Sequence, residues 1–142
     1  MDNTGNMRLA VVAIMRNHEN KILLVQRNEP ASPHIHGKWH FPGGGIEFGE
    51  HPTEAIMREI DEELGALSVQ LMTKRPIVSS NVHPTYNIQS IVLGFPILYL
   101  DGEIDVSKDD SIGDVKWFEL EEVQSLDSTP EVAAFVEGLI NL

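Results

Sequence analysis

No cysteine occurs in the chain, which rules out disulfides and thiol catalysis and leaves the compartment open. Basic residues are scarce: 10 Lys and Arg stand against 22 Asp and Glu, a formal net charge of −12. Holding duplex nucleic acid or an anionic membrane by simple electrostatics requires an excess of Lys and Arg, so neither is expected as a partner. A phosphorylated small molecule is compatible with this charge, provided divalent metals bridge the two negative partners. No segment approaches membrane-spanning length, and MDNTGNMRLAVVAIMRN at the start has neither a basic leader nor a convincing cleavage site, so a cytoplasmic protein is expected. Repeats, linkers and low-complexity segments are also missing. The 142 residues, 42% of them hydrophobic, are therefore expected to form one domain over 1–142 with a real core.

Two apolar runs, LAVVAIM (Leu9 to Met15) and KILLVQR (Lys21 to Arg27), are joined by N-H-E-N and predict a strand pair around a polar turn. NEPASPHIHG is too rich in proline and small polar residues for regular structure and predicts a loop. K-W-H-F predicts a short strand, and P-G-G-G a backbone bend before the next element. SVQLMTKRPIVSSN and YNIQSIVLGFPILYL carry strand-like runs with N-V-H-P-T as the turn between them, while Pro76 and Pro96 mark edges, bulges or breaks. DGEIDVSKDDSIGD reads as an acidic loop leading to the short strand VKWFEL. TPEVAAFVEGLINL predicts a closing helix, with Thr129 as N-cap, Pro130 at the first position and an apolar stripe of Val132, Phe135, Val136 and Leu139. Strands on both sides of a central helix, with another helix at the end, predict an α/β protein with a mixed sheet covered by helices.

The central helix holds a local contradiction. REIDEELG, Arg58 to Gly65, crowds four acids into its last turns. E-H-P-T-E-A-I-M supplies the start at His51 or Pro52, and Gly65 reads as the αL residue just past the end. Acids at a helix C-terminus lose about 0.3–1 kcal/mol each, and like charges three or four residues apart add a penalty of about 0.2–0.5 kcal/mol per pair. At about 100° per residue, Glu59, Glu62 and Glu63 share one arc facing outward, while Ile56, Met57, Ile60 and Leu64 pack on the opposing side. Two explanations fit: a solvated acidic face, or repulsion retained because a bound cation cancels it.

With its neighbours, this stretch becomes GGIEFGEHPTEAIMREIDEELGA, Gly44 to Ala66, and resembles the signature of the Nudix hydrolases. That signature is a Gly, five residues, Glu, seven residues, then Arg-Glu, an aliphatic residue, any residue, Glu-Glu, any residue, Gly and an aliphatic residue. Gly44, Glu50, Arg58, Glu59, Ile60, Glu62, Glu63 and Gly65 match, and Ala66, smaller than the usual aliphatic residue, is the one departure. Eight matches at fixed spacing are far more specific than a lone glycine-rich loop, although the signature spans only about a sixth of the chain.

The resemblance implies a Nudix-type α/β/α sandwich with a central mixed sheet, and hydrolysis of phosphoric anhydride bonds in a nucleotide. It makes Glu59, Glu62, Glu63 and the Gly44 carbonyl ligands of Mg2+, with Mn2+ as a possible substitute. Either Glu59 or Glu62 would serve as base. Arg58 would orient the carboxylates together with Glu50, or be an ordinary surface ion pair. Glu47 is either a further metal ligand or an exposed turn residue, and Asp109, Asp110 and Asp114 are candidates for a late acidic ligand or base.

Other residues invite weaker readings. The glycines Gly43 to Gly45 lack the Lys and Ser/Thr of a phosphate loop. His34, His36 and His40 lack the cysteines or second cluster of a zinc site. Trp39 and Phe41 are core or pocket-wall aromatics or else a base-stacking platform. In broad pattern Trp39, Phe41, Asn81, Tyr86 and Gln89 resemble substrate-contacting positions of the MutT-like branch, which hydrolyses nucleoside triphosphates, oxidised or noncanonical ones included. A nucleotide is thus the expected small-molecule partner, and edge strands leave a homodimer possible. The rivals are a Nudix hydrolase of ADP-ribose, nucleotide sugars or other nucleoside diphosphate derivatives, and a non-catalytic Nudix-fold nucleotide sensor. A calcium-binding structural protein is set aside because D-x-D-x-D-G spacing is missing.

Overall fold

A computed structural model describes residues 5–140. Among these, eight strands form one mixed sheet: β1 (Asn6–Arg16), β2 (Ile22–Arg27), β3 (Trp39–His40), β4 (Gly43–Gly45), β5 (Ser68–Leu71), β6 (Ile77–His83), β7 (Ile88–Asp101) and β8 (Ile112–Phe118). Helix α1 (Pro52–Leu64) lies on one face, and α2 (Leu120–Val123) and α3 (Pro130–Ile140) lie on the other. The expected α/β/α sandwich is the fold observed.

Strand β1 explains the layering. Its residues alternate between faces, as the two-residue period of a strand requires. Val11, Ala13 and Met15 pack with Ala55, Ile56, Ile60 and Leu64 of α1. Val12 and Ile14 pack with Val132, Phe135 and Val136 of α3. Burial on both faces is why this strand reads as an unbroken apolar run.

The expected pairing of β1 with β2 holds only at its base, where Arg16 faces Ile22. The Asn17 side chain closes that turn by accepting N–H groups of Glu19 and Lys21. Beyond it the strands diverge. Strand β1 takes β7 as a parallel partner from Asn6↔Ile88 to Arg16↔Leu98, and β4 as an antiparallel partner on its other side. Strand β2 pairs instead with β8 and β3.

Several local expectations need correction. P-G-G-G was expected to bend, yet Gly43–Gly45 is an extended strand facing Ala10 to Val12. Asn81 to His83 belong to β6, and the turn is a single 3-10 turn, Pro84–Tyr86, closed by Asn87 in the left-handed region at φ 53°. Strand β8 begins at Ile112, before the predicted run, and the short α2 lacked a periodic signal. Pro76 falls between β5 and β6 as expected for a break. Pro96 sits in β7 where its neighbour changes from β6 at Gly94 to β5 at Ile97, so the missing N–H disturbs no ladder on that side. Thr129 precedes α3, but its hydroxyl donates to the Glu131 carboxylate instead of capping a backbone N–H. The last two residues of the predicted closing helix, Asn141 and Leu142, lie outside the described residues.

A Cβ at Gly43 would collide with the Val11 carbonyl and the Val12 backbone. Gly43→Ala is expected to break the β1–β4 ladder and destabilise the protein by about 2–4 kcal/mol. Urea denaturation checks this, and an unchanged midpoint would show that β4 need not lie so close to β1.

Candidate active site

Helix α1 begins with a capping box. The His51 side chain accepts the Thr53 N–H at 3.1 Å, and the Glu54 carboxylate accepts the His51 N–H at 3.3 Å. Pro52 follows at a position that needs no N–H. Gly65 ends the helix with φ 94° and ψ −173°, which is positive φ but not the αL conformation expected. Packing of Ala55, Ile56, Ile60 and Leu64 on the sheet sets the rotation of α1, so its acidic arc meets β4.

The acids therefore do not all face outward. Glu63 is only 7% exposed and its Oε2 accepts the Gly43 N–H at 3.2 Å. Glu59 reaches so close to the backbone that a Cβ at Gly44 would lie 2.5–2.7 Å from its carboxylate. Glu62 alone of the three points to solvent, with 57% of its side chain exposed. The angular reading was right about the arc and wrong about its neighbour, which is a glycine strand. Met57, expected to pack, is 41% exposed beside the buried Ile56 and Ile60.

Arg58 collects the remaining charge. Its Nε and Nη2 donate to Glu50 at 2.7 and 3.0 Å, its Nη1 to Glu59 at 2.9 Å and Glu62 at 3.1 Å, and its Nη2 also to the Gly45 carbonyl at 3.0 Å. This is the fork geometry in which guanidinium groups bind carboxylates most strongly. Glu47 stays largely exposed, 3.8 Å from Arg58.

The electrostatics divide accordingly. The Arg58 hydrogen bond, helped by the Glu47 backbone N–H, holds Glu50 down at about 2, and the same contact raises Arg58. Burial raises Glu59 despite Arg58. Burial raises Glu63 to about 8, opposed by the Gly43 N–H and reinforced by the negative charge of Glu59.

Among the described residues, no three acid or histidine side chains converge as a ready metal cluster. Glu59 and Glu62 are turned onto Arg58, and Glu63 onto Gly43. The donor set nevertheless suits a hard cation. It offers carboxylate oxygens beside Gly44, a position without a side chain, and two neighbouring acids whose pKa values are raised chiefly by burial.

Of the late acids, Asp109 is the one whose charge reaches Glu63 and His40, and it is fixed by the N–H and hydroxyl of Ser111. Asp110 is exposed and supplies only its carbonyl to Asn28. Asp114 lies exposed on β8, opposite Gln26, away from α1.

On the opposite face of β1, a cleft of about 660 Å³ opens against β6, β7 and the start of α3. Gly43 and Gly44 border it, so the glycine strand is shared by the cleft and the acidic helix. Asn81 and Tyr86 line the cleft, and Tyr86 meets the His34 ring at 5.1 Å. Phe41 is fully buried against Phe135, and Trp39 packs edge-on to Phe118, so both aromatics belong chiefly to the core. Gln89 bonds to Ser80 and shares a face with Met7 and Val82, turned away from the cleft. The three histidines are also separated: His36 accepts the Glu29 N–H, His34 stacks near Tyr86, and His40 is buried.

Sequence reasoning missed the cations lining the cleft, Arg8, Arg27 and Lys38; Glu131 lines the same cleft, and Arg27 is paired with Glu29 at 3.1 Å. Strand alternation places Arg8 on the Val12 face, but only the tertiary fold brings Arg27 and Lys38 beside it.

A NUDIX domain model matches residues 6–139. An 8-oxo-dGTP diphosphatase of Escherichia coli (strain K12) is 46% identical over 54 residues, which is 38% of this chain and 40% of that protein. An RNA pyrophosphohydrolase of Acidiphilium cryptum (strain JF-5) is 39% identical over 54 residues, 38% of this chain and 33% of that protein. The matched stretch thus spans well under half the length of either curated relative. In structure, the chain is similar to the MutT protein from Methanosarcina mazei Go1, with a TM-score of 0.78 and 24% identity over 97% of this chain and 96% of the other. Among the described residues, no helix is long and apolar enough to cross a membrane.

The raised Glu63 gives a signed pH dependence. With a folded pKa of about 8 against an ordinary 4.5, the folded state binds the proton more tightly. Its contribution to stability is complete below pH 4.5 and is lost as pH rises through 8, by about 3–5 kcal/mol, with Glu59 acting in the same direction. Glu50 has the opposite sign: its contribution is present above pH 4.5 and lost as pH falls through about 2. Urea midpoints in chelator are expected to fall between pH 5 and pH 9 in the wild type, and to fall less in Glu63→Gln. Parallel profiles would count against a buried, protonated Glu63.

Proposed function

This chain belongs to the NUDIX domain family, and we propose on that premise that it is a divalent-metal-dependent pyrophosphohydrolase. Its substrate is a nucleoside triphosphate, oxidised or noncanonical ones included, cleaved to a monophosphate and pyrophosphate. The observation that carries this reading is the placement of Glu59 and Glu63 against the backbone of Gly43 and Gly44, at the edge of a cleft that holds three cations. The 46% identity to an 8-oxo-dGTP diphosphatase over 54 residues supports the choice of substrate class.

Each residue has a defined task. Glu59, Glu62, Glu63 and the Gly44 carbonyl would hold Mg2+, or Mn2+ in its place, and such an ion supplies neutralisation of phosphate oxygens, polarisation of phosphorus and a more acidic bound water. Glu59 or Glu62 takes the proton of the attacking water. Arg58, anchored by Glu50, keeps the carboxylates from turning away from β4. Arg8, Arg27 and Lys38 attract the polyphosphate, while Asn81 and Tyr86 line the space for the nucleoside. Asp109 adds negative charge near Glu63.

The test is a panel of canonical and oxidised nucleoside triphosphates, ADP-ribose, nucleotide sugars and dinucleotides, each with and without Mg2+, with products resolved by chromatography. Metal-dependent pyrophosphate release from a triphosphate is expected. Tight metal-dependent binding of one nucleotide without turnover would replace this reading with a nucleotide sensor. Glu63→Gln is expected to lower kcat on the order of 100-fold or more while the metal-free fold stays at least as stable. Full activity of that variant at saturating Mg2+ would overturn the ligand assignment.

A further inference from the structure

Charge is spread unevenly through the fold. Of the 22 acids, none falls between Glu63 and Asp101. That stretch holds β5, β6 and most of β7, and β1 beside them also lacks acids. A chain with a net charge of −12 therefore has one flank of its sheet without negative charge.

Strand β6 is an outer strand of this flank. Among the described residues it pairs only with β7, so on its far side its N–H and C=O groups meet no other strand. Exposed edges are ordinarily blunted by charge, by short length or by bulges. The edge strand β8 carries Asp114 and Lys116, and β5 has only four residues, with a register shift between Ser68 and Val69. Strand β6 has none of these devices. It runs seven residues in unbroken register without Asp, Glu, Lys or Arg, and Pro76 and Pro84 lie just outside it.

Its sequence is also close to a palindrome, Val78-Ser79-Ser80-Asn81-Val82. An antiparallel pair of copies centred on Ser80 sets Val78 opposite the partner's Val82, Ser79 opposite the partner's Asn81, and Ser80 opposite the partner's Ser80. Val78 and Val82, 62% and 63% exposed on the face turned from the packed Ile77, each gain an apolar neighbour in that register. Lys74 and Arg75, which precede β6, fall at opposite ends of such a pair and do not oppose their copies. A strand of another protein would form the same backbone bonds, but only a second copy brings these side-chain matches and an equally acid-free flank.

We propose that β6 is the surface through which two copies of this chain associate, extending the sheet across a two-fold axis at Ser80. The dimer is independent of the hydrolase reading, since β6 supplies none of the carboxylates on α1. One strand pair buries less than a standard interface, so a dissociation constant on the order of 10 μM is expected.

Sedimentation velocity over about 1 to 200 μM protein is the test, and the wild type is expected to pass from monomer to dimer across that range. Ser80→Glu sets two carboxylates against each other at the axis, and Ser80→Lys two ammonium groups. Each is expected to weaken the dimer on the order of 100-fold or more, and an equimolar mixture of the two, now of opposite charge, to recover it. Matched melting confirms that each variant is folded. Because the chain has no cysteine, Ser80→Cys gives a second reading that survives failure of either charge variant to fold. Facing residues of an antiparallel pair lie within disulfide reach, so mild oxidation is expected to link two copies, while Lys116→Cys on β8 stays unlinked. A wild type still monomeric at about 200 μM overturns the proposal and leaves the edge to some other strand. A dimer indifferent to both charges, a mixture that remains monomeric, or equal linking through the two cysteines overturns it as well.

Discussion

The approach of α1 to β4 is the constraint on which the site depends. Gly44, which has no side chain, makes it possible, and Gly43 lets β4 lie against β1. A Cβ at Gly43 would strike the Val11 carbonyl, and one at Gly44 would strike the Glu59 carboxylate. Once the helix is this close, Glu59 and Glu63 are withdrawn from water in the half of the helix where the backbone dipole already opposes negative charge. Arg58 answers from the same helix, with one guanidinium spread over Glu50, Glu59, Glu62 and the Gly45 carbonyl. That compensation is incomplete, since burial still outweighs the attraction at Glu59 and Glu63. A set of acids held near one another by the fold, and short of positive charge, is a local conflict of the kind expected at a working site.

The divergence of β1 from β2 creates the place for this approach. After the single pairing at the turn, each strand finds other partners, and β3 and β4 fill the opening. Strand β4 then forms a thin wall. The acidic helix stands on one side of it, and the cleft with Arg8, Arg27 and Lys38 opens on the other. The two chemistries a nucleotide needs, positive charge for its phosphates and carboxylates for a cation, meet at a backbone without side chains.

Much of this was legible in the chain. The spacing from Gly44 to Gly65 identifies the acids and Arg58, and His51, Pro52 and Gly65 mark the helix ends because capping is local chemistry. Other features were hidden for physical reasons. Three glycines in a row show no alternation, so nothing distinguishes a bend from the strand they form. A helical wheel gives the direction of Glu63 but not what lies there, and burial depends on a strand from elsewhere in the chain. Asn81 and Gln89 both look like polar strand residues, yet register turns one toward the cleft and the other away. A helix of four residues, such as α2, is too short for any periodic signal.

The net charge of −12 looks at first like an obstacle to an anionic substrate, but distance and arrangement matter more than the sum. At physiological ionic strength, exposed charges farther than about 8 Å are largely screened, so most surface acids contribute little inside the cleft. Within it, Arg8 and Lys38 stand with Glu131, while Arg27 is paired with Glu29 at 3.1 Å. The acids that do stand close, Glu59 and Glu63, are on the far side of the glycine strand and gain from a cation. An anion entering from the cleft therefore meets positive side chains first and the carboxylates only through that strand. This order of charges lets an acidic protein bind a polyphosphate without an overall positive field.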